Sequence, residues 1–327
     1  MESIKNYVGI DISKQFFDLA LADNGGYQHC QLSNDSKGYQ QLGKLLEDRD
    51  QYQVVMEASG PYYLKLACYL HEIGIAVSVV NPLVIRRFCQ MRLSRAKTDK
   101  KDAKMIAEYG KTEKPPMWHP EANYIIELKQ MQTAIDQLNK SRTGLLRQME
   151  ALTQSPVISK DVVKATNNAM RCLEKQIATL ELKMEQLAEQ YFGNAYQQLQ
   201  TIPGVGKKTA LLLIVLTGGF KKFSNAKQVS SYFGLSPRIF ESGTSVKGRS
   251  KITKMGMSRI RAMLYMCSWT AKKCNEGCSQ LYERLVGKGK SKRLALIAVA
   301  NKLIKQAFAL ATNNTIYKAN YQKNICF

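Results

Sequence analysis

The segment from Tyr7 to Lys14 reads YVGIDISK, an apolar run interrupted by one carboxylate. With the two-residue period of a strand, Val8, Ile10 and Ile12 fall on one face and Asp11 falls on the other. The pattern predicts a first strand that displays Asp11 rather than burying it. A single Asp on a half-exposed strand is most often only a solvent-facing residue, so its interpretation depends on the carboxylates further along the chain.

The segments that follow predict a mixed sheet covered by helices. Apolar runs predict strands at 16–22, 27–32, 52–56 and 75–80, and helical spacing predicts helices at 37–46, at 62–73 and from residue 82 onward. Three strands joined by short turns, then strand, helix, strand and helix, are typical of an α/β domain. In that order the first strand can lie beside the end of the fourth, where Glu57 stands in the sequence MEASG.

A second pair of carboxylates opens the next predicted helix. Asp99 and Asp102 are three residues apart in the segment KTDKKDAK, so both share one helical face. A structural role is also open, in which Asp99 caps the helix and Asp102 favours its first turn. Four carboxylates that converge on a sheet edge repel one another unless cations neutralise them, and oxygen ligands suit Mg²⁺. Asp11, Glu57, Asp99 and Asp102 therefore predict a two-metal site acting on a phosphodiester.

Charge is unevenly distributed along the 327 residues, whose net charge is +22. From Gly193 to the end the chain carries 23 Lys and Arg against 3 Asp and Glu, a net charge of +20. The first 192 residues carry 25 against 23, a net charge of +2. Clustered carboxylates in a near-neutral half and a C-terminal half this basic indicate a polyanion that one half holds and the other cuts.

The compartment is predicted from what the sequence does not contain. No apolar run approaches the roughly 18 residues of a membrane helix, and the first residues lack a signal-peptide core. We expect a soluble, cytoplasmic, nucleoid-associated protein with no membrane partner. The eight cysteines are scattered, and only Cys274 and Cys278 are closely spaced, with no His nearby. Reduced thiols buried in helices are expected rather than a zinc site.

After residue 120 the apolar pattern changes to alternating steps of three and four. One series runs through 128–152, broken only at Arg142, and a second runs through 163–191, after Pro156. Two heptad stretches joined by a proline turn predict a long helical hairpin or coiled coil, which would dimerise the chain or carry one domain to another molecule. Two ordinary amphipathic helices packed on their own domain would give the same pattern.

The segment IPGVGKKT at 202–209 precedes an apolar helix. Its proline and the glycines Gly204 and Gly206 predict a tight hairpin before a helix whose free N–H groups form a phosphate cradle with Lys207 and Lys208. This is similar to a helix-hairpin-helix motif that binds the DNA backbone, although a structural glycine-rich turn is the alternative. It is not a Walker A loop, because Thr stands at the place of the first glycine and Lys208 at that of the Ser or Thr.

Residues 230–249 predict a β-hairpin with Ser242 and Gly243 at its tip. For any single Ser in such a segment, a turn is the default role. A Ser-His-Asp triad is not available, because all three histidines lie in the first 119 residues, outside the acidic motifs. A nucleophilic Ser242 would therefore depend on metal ions or on Arg and Lys for its activation.

The rest of the C-terminal half is predicted to be helical, at 257–273 and 291–311. A solvated charge run would explain its basic residues, but the excess of charge favours contacts with phosphates. Besides the four residues of the glycine-rich hairpin, the residues predicted to bind nucleic acid are Arg238, Lys247, Arg249, Lys251, Lys290, Lys292 and Arg293.

Several short motifs occur in one order along the chain. They are GID at 9–11, MEASG at 56–60, KTDxxDA at 97–103, IPGVG at 202–206, YFGLSPR at 232–238 and ESG at 241–243. In this order and spacing, from about residue 7 to about residue 310, the chain resembles the DEDD insertion-sequence transposases. Recently described members of that family are bridge-RNA-guided recombinases.

The resemblance implies a fold and a set of roles. The fold is a RuvC-like, ribonuclease-H-type domain at 1–120, a coiled-coil spacer at 121–192 and a mainly helical transposase domain at 193–327. Asp11, Glu57, Asp99 and Asp102 would bind Mg²⁺, and Ser242 would attack a DNA phosphodiester and leave a covalent phosphoserine.

The resemblance also implies partners. They are double-stranded donor and target DNA, a structured noncoding bridge RNA with one loop for each DNA, and further copies of the chain in a homodimer or homotetramer. In such an assembly the acidic domain of one subunit meets the serine domain of another.

Three other functions predict different behaviour. A metal-dependent nuclease of the Holliday-junction type would cleave without a covalent step, and Ser242 would only shape a turn. An actin-like sugar kinase or ATPase would need glycine just after Asp11 to admit phosphate, where this chain has Ile12, Ser13 and Lys14. A non-catalytic binder would need only the basic half, and its salt-dependent binding would survive Asp11→Asn and the removal of metal.

Overall fold

The computed structural model describes residues 6–23, 26–93, 98–238, 241–242, 246–247 and 251–319. Gly243 and Arg249, and the side chains at 23, 241, 242, 246 and 247, lie outside the described part. The chain divides into a first unit, 1–121, and a second unit, 122–327. The finer division of the second unit into a spacer at 121–192 and a domain at 193–327 stays a prediction.

A five-stranded mixed sheet forms the centre of the first unit. Its strands are β1 (Asn6–Ile12), β2 (Phe16–Asp23), β3 (Gly26–Ser33), β4 (Tyr52–Glu57) and β5 (Ala76–Val80). Their order is β3-β2-β1-β4-β5, with antiparallel pairing from β1 to β3 and parallel pairing from β1 through β4 to β5. The predicted mixed sheet is confirmed, and so is the neighbourhood of the first and fourth strands.

The helices of the first unit are α1 (Ser36–Leu45), α2 (Leu64–Glu72), α3 (Pro82–Met91) and α4 (Asp99–Glu113), with a 3₁₀ turn at Arg49–Gln51. One face of the sheet packs against α1 and α2. Val8, Ile10 and Ile12 are buried there with Leu42 of α1 and Leu70 of α2. The two-residue period of the first strand therefore identified its core face correctly.

Helix α4 covers the other face of β1 because small residues let it approach. A Cβ placed on Gly9 would overlap the carbonyl oxygen of Ala103 and the backbone nitrogen of Ala107. Ala20 of β2 is buried against the same two alanines. The prediction that Asp11 is simply displayed was wrong, because this helix partly buries its face of the sheet.

The second unit begins with two long helices, α5 (Asn123–Leu152) and α6 (Lys160–Gln200). They pack against each other along their lengths, which confirms the predicted helical hairpin. Leu128, Ile135 and Met184 are buried in the same core as the C-terminal helices, so part of the hairpin packs on its own unit. A coiled coil and a role in dimerisation stay predictions.

The other helices of the second unit are α7 (Lys207–Thr217), α8 (Ala226–Tyr232), α9 (Ser258–Cys274), α10 (Glu276–Gly287) and α11 (Lys292–Asn313). Helices α8 and α10 were not predicted. Both begin at an Asn whose side chain accepts a hydrogen bond from the backbone, Asn225 from Gln228 and Asn275 from Cys278. These capping residues were the sequence signal that could have identified the two helices.

Four two-residue strands lie between α8 and α9, namely β6 (Pro237–Arg238), β7 (Glu241–Ser242), β8 (Val246–Lys247) and β9 (Lys251–Ile252). β6 pairs with β9, and β7 pairs with β8, both antiparallel. An antiparallel hairpin is therefore confirmed, but Ser242, which was predicted at its tip, stands in β7 and pairs with Val246. The turn at 243–245 lies outside the described residues.

Two predictions need correction. The sequence predicted no apolar segment long enough to cross a membrane. Among the described residues, α11 is long and apolar enough to do so by length and composition alone. Here Val299 and Leu303 at its centre are buried in the core, and the helix packs on α6, α8, α9 and α10. The described cysteines are free thiols as predicted, but Cys172 and Cys274 are exposed rather than buried.

Candidate catalytic site and nucleic-acid surface

The register of the sheet brings Asp11 and Glu57 to neighbouring strands at the same end. Ile10 pairs with Met56 in the parallel β1–β4 ladder, and Asp11 and Glu57 are the next residues on their strands. Adjacent strands lie about 4.8 Å apart, and successive side chains alternate between faces. Both carboxylates therefore leave the sheet on the face that α4 covers, opposite the aliphatic core.

Two hydrogen bonds hold the end of β4. Ser59 Oγ donates to Glu57 Oε1 at 3.0 Å. The backbone nitrogen of Ala58 donates to the carbonyl oxygen of Val80 at 2.9 Å, which continues the ladder with β5 beyond Glu57. Ser59 is thus a neighbour that orients the Glu57 carboxylate, and the sequence had marked it only as part of the MEASG motif.

Helix α4 supplies the second pair of carboxylates. Thr98 caps the helix, because its hydroxyl accepts from the backbone nitrogen of Lys101 at 3.3 Å. The structural reading of Asp99 as the cap was therefore wrong. Asp99 and Asp102 lie in the first turn, where the helix dipole favours negative charge. The packing of Ala103 on Gly9 brings this turn next to β1.

The predicted carboxylates act on one another through their charges. The pKa of Asp11 is raised from 3.8 to about 6, first by burial and then by the negative charges of Asp102, Glu57, Asp99 and Asp18. Like charges raise the pKa of a carboxyl group when they are near it in a poorly solvated place. The charges of the other three sequence-predicted carboxylates, Glu57, Asp99 and Asp102, thus act on Asp11.

The chemistry of this group suits a hard divalent cation, because a cation relieves the repulsion that raises the pKa of Asp11. Within the part of the chain that the structure describes, no three His, Cys, Asp or Glu side chains form a ready-made metal site. The binding of a divalent cation by these four carboxylates therefore stays a prediction.

Asp18 is a member of this cluster that the sequence analysis missed. It pairs directly with Asp11 in the β1–β2 ladder and is only 7% exposed. His29 Nε2 lies 2.6 Å from Asp18 Oδ1, and Gln31 Nε2 donates to Asp18 Oδ2 at 3.1 Å. Two residues of β3, His29 and Gln31, therefore hold the buried carboxylate of Asp18 beside Asp11. The sequence analysis had placed His29 outside the acidic motifs.

Ser242 ends strand β7, where its backbone pairs with Val246. Its side chain lies outside the described part of the chain, so its predicted role as nucleophile stays a prediction. The base of the same segment is fixed by Arg261, whose guanidinium donates to the carbonyl oxygens of Phe233 and Gly256 at 3.2 and 2.9 Å.

The glycines of the predicted phosphate cradle differ in their roles. Gly204 has a φ of +100°, and a Cβ on it would lie 2.8 Å from the Cβ of Ala271 on α9. It is therefore required for the packing of the hairpin against α9. Gly206 caps α7, and a Cβ on it would meet nothing within 4 Å. Open space at the helix start is what an approaching phosphate needs.

The two lysines of the cradle have carboxylate partners on α6. Lys208 Nζ lies 2.6 Å from Glu181 Oε1, and Lys207 Nζ lies 3.8 Å from Glu185 Oε2. Exposed ion pairs of this kind are weak, so a phosphate could displace the glutamates. Their role in binding nucleic acid stays a prediction.

Other predicted basic residues are placed with charges of the same sign. Arg238 and Lys251 are exposed and lie directly opposite each other in the β6–β9 ladder. Lys290, Lys292 and Arg293 are exposed at the start of α11, where the helix dipole disfavours cations. The position of the α11 residues favours contacts with phosphates. Arg249 and the side chain of Lys247 lie outside the described part.

The chain is similar in sequence to known proteins along most of its length. Residues 8–155 match a family model described as Transposase, and residues 196–283 match one described as Transposase IS116/IS110/IS902 family. The pilin gene-inverting protein of Moraxella bovis is 33% identical over 95% of this chain and 97% of its own length. The transposase for insertion sequence element IS1111A of Coxiella burnetii is 24% identical over 97% of this chain and 92% of its own length.

Proposed function

Because the chain belongs to the IS116/IS110/IS902 transposase family, we propose that it is the DNA recombinase of an insertion sequence. It cuts and exchanges strands of donor and target DNA through a covalent phosphoserine at Ser242. Strand cleavage requires Mg²⁺, and a structured bridge RNA selects the DNA by base pairing. The active form is a homodimer or homotetramer.

The observation that carries the proposal is the register of β1 and β4. It sets Asp11 beside Glu57, and the first turn of α4 adds Asp99 and Asp102, whose charges reach Asp11. These four residues would hold the divalent cations. When bound, such ions activate the attacking hydroxyl and stabilise the negative charge on the leaving oxygen.

The proposed step exchanges one phosphoester bond for another. Ser242 Oγ loses its proton and attacks the phosphorus of a DNA phosphodiester, and the bond from phosphorus to one deoxyribose oxygen breaks. That oxygen takes up a proton and leaves as a hydroxyl, while the phosphoryl group stays on the serine. Attack by a hydroxyl of another DNA strand on the phosphoserine releases Ser242 and reseals the DNA. The number of phosphoester bonds is unchanged, so no external energy source is needed.

The net charge of +20 from Gly193 to the end suits the binding of a polyanion, whereas the RNA partner is proposed from the family resemblance alone.

One observation favours a second outcome for the same chemistry. The Moraxella bovis relative, similar over nearly its whole length, is named for gene inversion rather than transposition. Inversion between two sites in one DNA molecule is therefore the second candidate. A plasmid with two inverted copies of the element end would give an inverted segment in that case, and an excised or inserted element in the case of transposition.

The experiment that tests the proposal looks for the covalent intermediate. Full-length protein is incubated with Mg²⁺, bridge RNA and end-labelled DNA, then denatured, and the label is followed on a gel. We expect a labelled strand attached to the protein, which Ser242→Ala abolishes together with strand exchange. Ser236→Ala is the matched control in the same segment. Cleavage that persists unchanged in Ser242→Ala, without an adduct, would favour the junction-nuclease alternative and overturn the covalent step.

A further inference from the structure

Helix α9 carries an exposed aromatic and basic surface, none of whose residues is among those predicted to act on DNA. It consists of Met266, Trp269, Lys272 and Lys273 together with Tyr282 of α10, and we call it the α9 surface. Met266 is 65% exposed and Trp269 is 46% exposed. They are three residues apart, so they lie next to each other on one face of the helix. Exposed apolar groups that lie together mark interaction sites.

The Trp269 ring is held in place by a cation. The ammonium group of Lys272 lies 4.2 Å from the centroid of the Trp269 ring and 4.9 Å from that of the Tyr282 ring. A cation over an aromatic face is attracted to it, so the lysine ties the indole to α10. The α9 surface thus presents a flat apolar group with a positive charge beside it.

The surroundings of the α9 surface are basic. Helix α9 contains no Asp or Glu, and Lys272 and Lys273 lie within about one turn of Trp269. Arg259, at the other end of the helix, pairs with Asp136. Helix α10 adds two acids, Glu276 and Glu283, and one base, Arg284, and the C-terminal half around both helices has a net charge of +20. A partner that complements this surface carries a flat aromatic group and negative charge together.

An unpaired nucleotide has both properties. In a duplex the base faces are covered by their neighbours in the stack, so only the phosphates would find a partner here. In a single strand a base can stack on an exposed aromatic ring while its phosphates contact lysines. We propose that the α9 surface binds single-stranded nucleic acid, with one base stacked on Trp269 and the adjacent phosphates on Lys272 and Lys273. RNA and single-stranded DNA both supply this chemistry.

The inference goes beyond the proposed recombination chemistry, because it requires neither the carboxylate cluster nor Ser242. It assigns a site for a melted DNA strand or for an unpaired stretch of RNA. If it fails, the covalent-adduct experiment is unaffected.

The chain offers a direct test, since it contains only two tryptophans, Trp118 and Trp269. In Trp118→Phe, full-length protein without metal reports on Trp269 alone. We expect oligo(U) and oligo(dT) to quench its fluorescence, and a duplex with the same number of phosphates to leave it nearly unchanged. A comparison of the two single strands tells whether RNA or DNA is preferred. Trp269→Phe, which reports on Trp118 alone, is the matched control and is expected not to respond.

Affinity gives a second measurement. Trp269→Ala is expected to weaken binding of oligo(U) or oligo(dT) by roughly tenfold, and Lys272→Gln to weaken it more than Lys227→Gln, a matched change at an exposed lysine of α8. Equal quenching by duplex, or no quenching by either single strand, overturns the inference. Fluorescence that changes with protein concentration and not with nucleic acid assigns the α9 surface to self-association, which overturns it as well.

Discussion

In the first unit, a β-ladder and a helix packed on it place the predicted carboxylates, whereas in the second unit the predicted basic residues lie exposed at helix starts and on a short strand. Asp11 and Glu57 are placed by a β-ladder, and Asp102 by the close packing of Ala103 on Gly9. Ser242 ends a two-residue strand, and Lys208 is held by a glutamate of α6. The difference indicates that packing fixes the positions of the carboxylates in the first unit, whereas the second unit presents positive charge at its surface.

The largest effect is expected from a substitution that removes strand cleavage by the first unit and leaves DNA binding by the second unit unchanged. Asp11→Asn keeps the shape of the side chain but removes the charge at the centre of the cluster. We expect strand cleavage to fall on the order of 10³-fold, and salt-dependent DNA affinity measured without metal to stay the same. If cleavage by Asp11→Asn matched the wild type, the chemistry would have to lie elsewhere.

Sequence reasoning found the first unit more completely than the second, and the reason is physical. Two-residue periodicity and strand order are enough to place Asp11 near Glu57. They do not give the register of a hairpin, so the pairing of Asp18 with Asp11 and its contact with His29 were missed. The glutamate partner of Lys208 is 27 residues away along the chain, and it depends on how α6 packs, which no local pattern encodes.

The next largest effect tests whether the close contact between Gly9 and the backbone of α4 positions the carboxylates. Gly9→Ala would push α4 away from β1, and overpacking of this kind costs about 2–3 kcal/mol. We expect a corresponding loss in the free energy of unfolding, measured by urea denaturation, and loss of cleavage. Gly144→Ala in α5 is the control from the second unit, because its added Cβ meets nothing within 4 Å. It is expected to raise stability by up to about 1 kcal/mol. Unchanged stability of Gly9→Ala would contradict the packing of α4.

A smaller effect is expected from the buried neighbour of Asp11. Asp18→Asn keeps a polar group between His29 and Gln31 but removes a negative charge from the cluster. We expect the Mg²⁺ concentration that gives half the maximal cleavage rate to rise by roughly tenfold, with the maximal rate retained, since the lost attraction for the cation is of that size. Glu47→Gln, an exposed acid of the same unit, is expected to leave the Mg²⁺ dependence unchanged. If Asp18→Asn also left the Mg²⁺ dependence of cleavage unchanged, Asp18 would have only a structural role.

The raised pKa of Asp11 predicts a dependence of stability on pH. Below pH 3.8 the carboxyl group is protonated in both the folded and the unfolded chain, and above about pH 6 it is ionised in both. Between these values the folded protein holds a proton that the unfolded chain has released, so stability falls as pH rises through this window. After allowance for solvent screening the loss is about 1 kcal/mol. Urea denaturation without metal at several pH values should show this loss in the wild type and not in Asp11→Asn. Equal slopes in both proteins would contradict the repulsion around Asp11.

The smallest effect concerns the lysines of the second unit. Glu181→Gln removes the carboxylate that pairs with Lys208, so a phosphate no longer has to displace it. We expect DNA affinity at low salt to rise about two- to threefold, and the dependence on salt to steepen by up to about one released counterion. Glu189→Gln makes the same charge change on an exposed acid of α6. An equal gain in DNA affinity in Glu189→Gln would show that only the net charge of the protein matters. A gain confined to Glu181→Gln would mean that Glu181 pairs with Lys208 in the free protein and that a DNA phosphate replaces it.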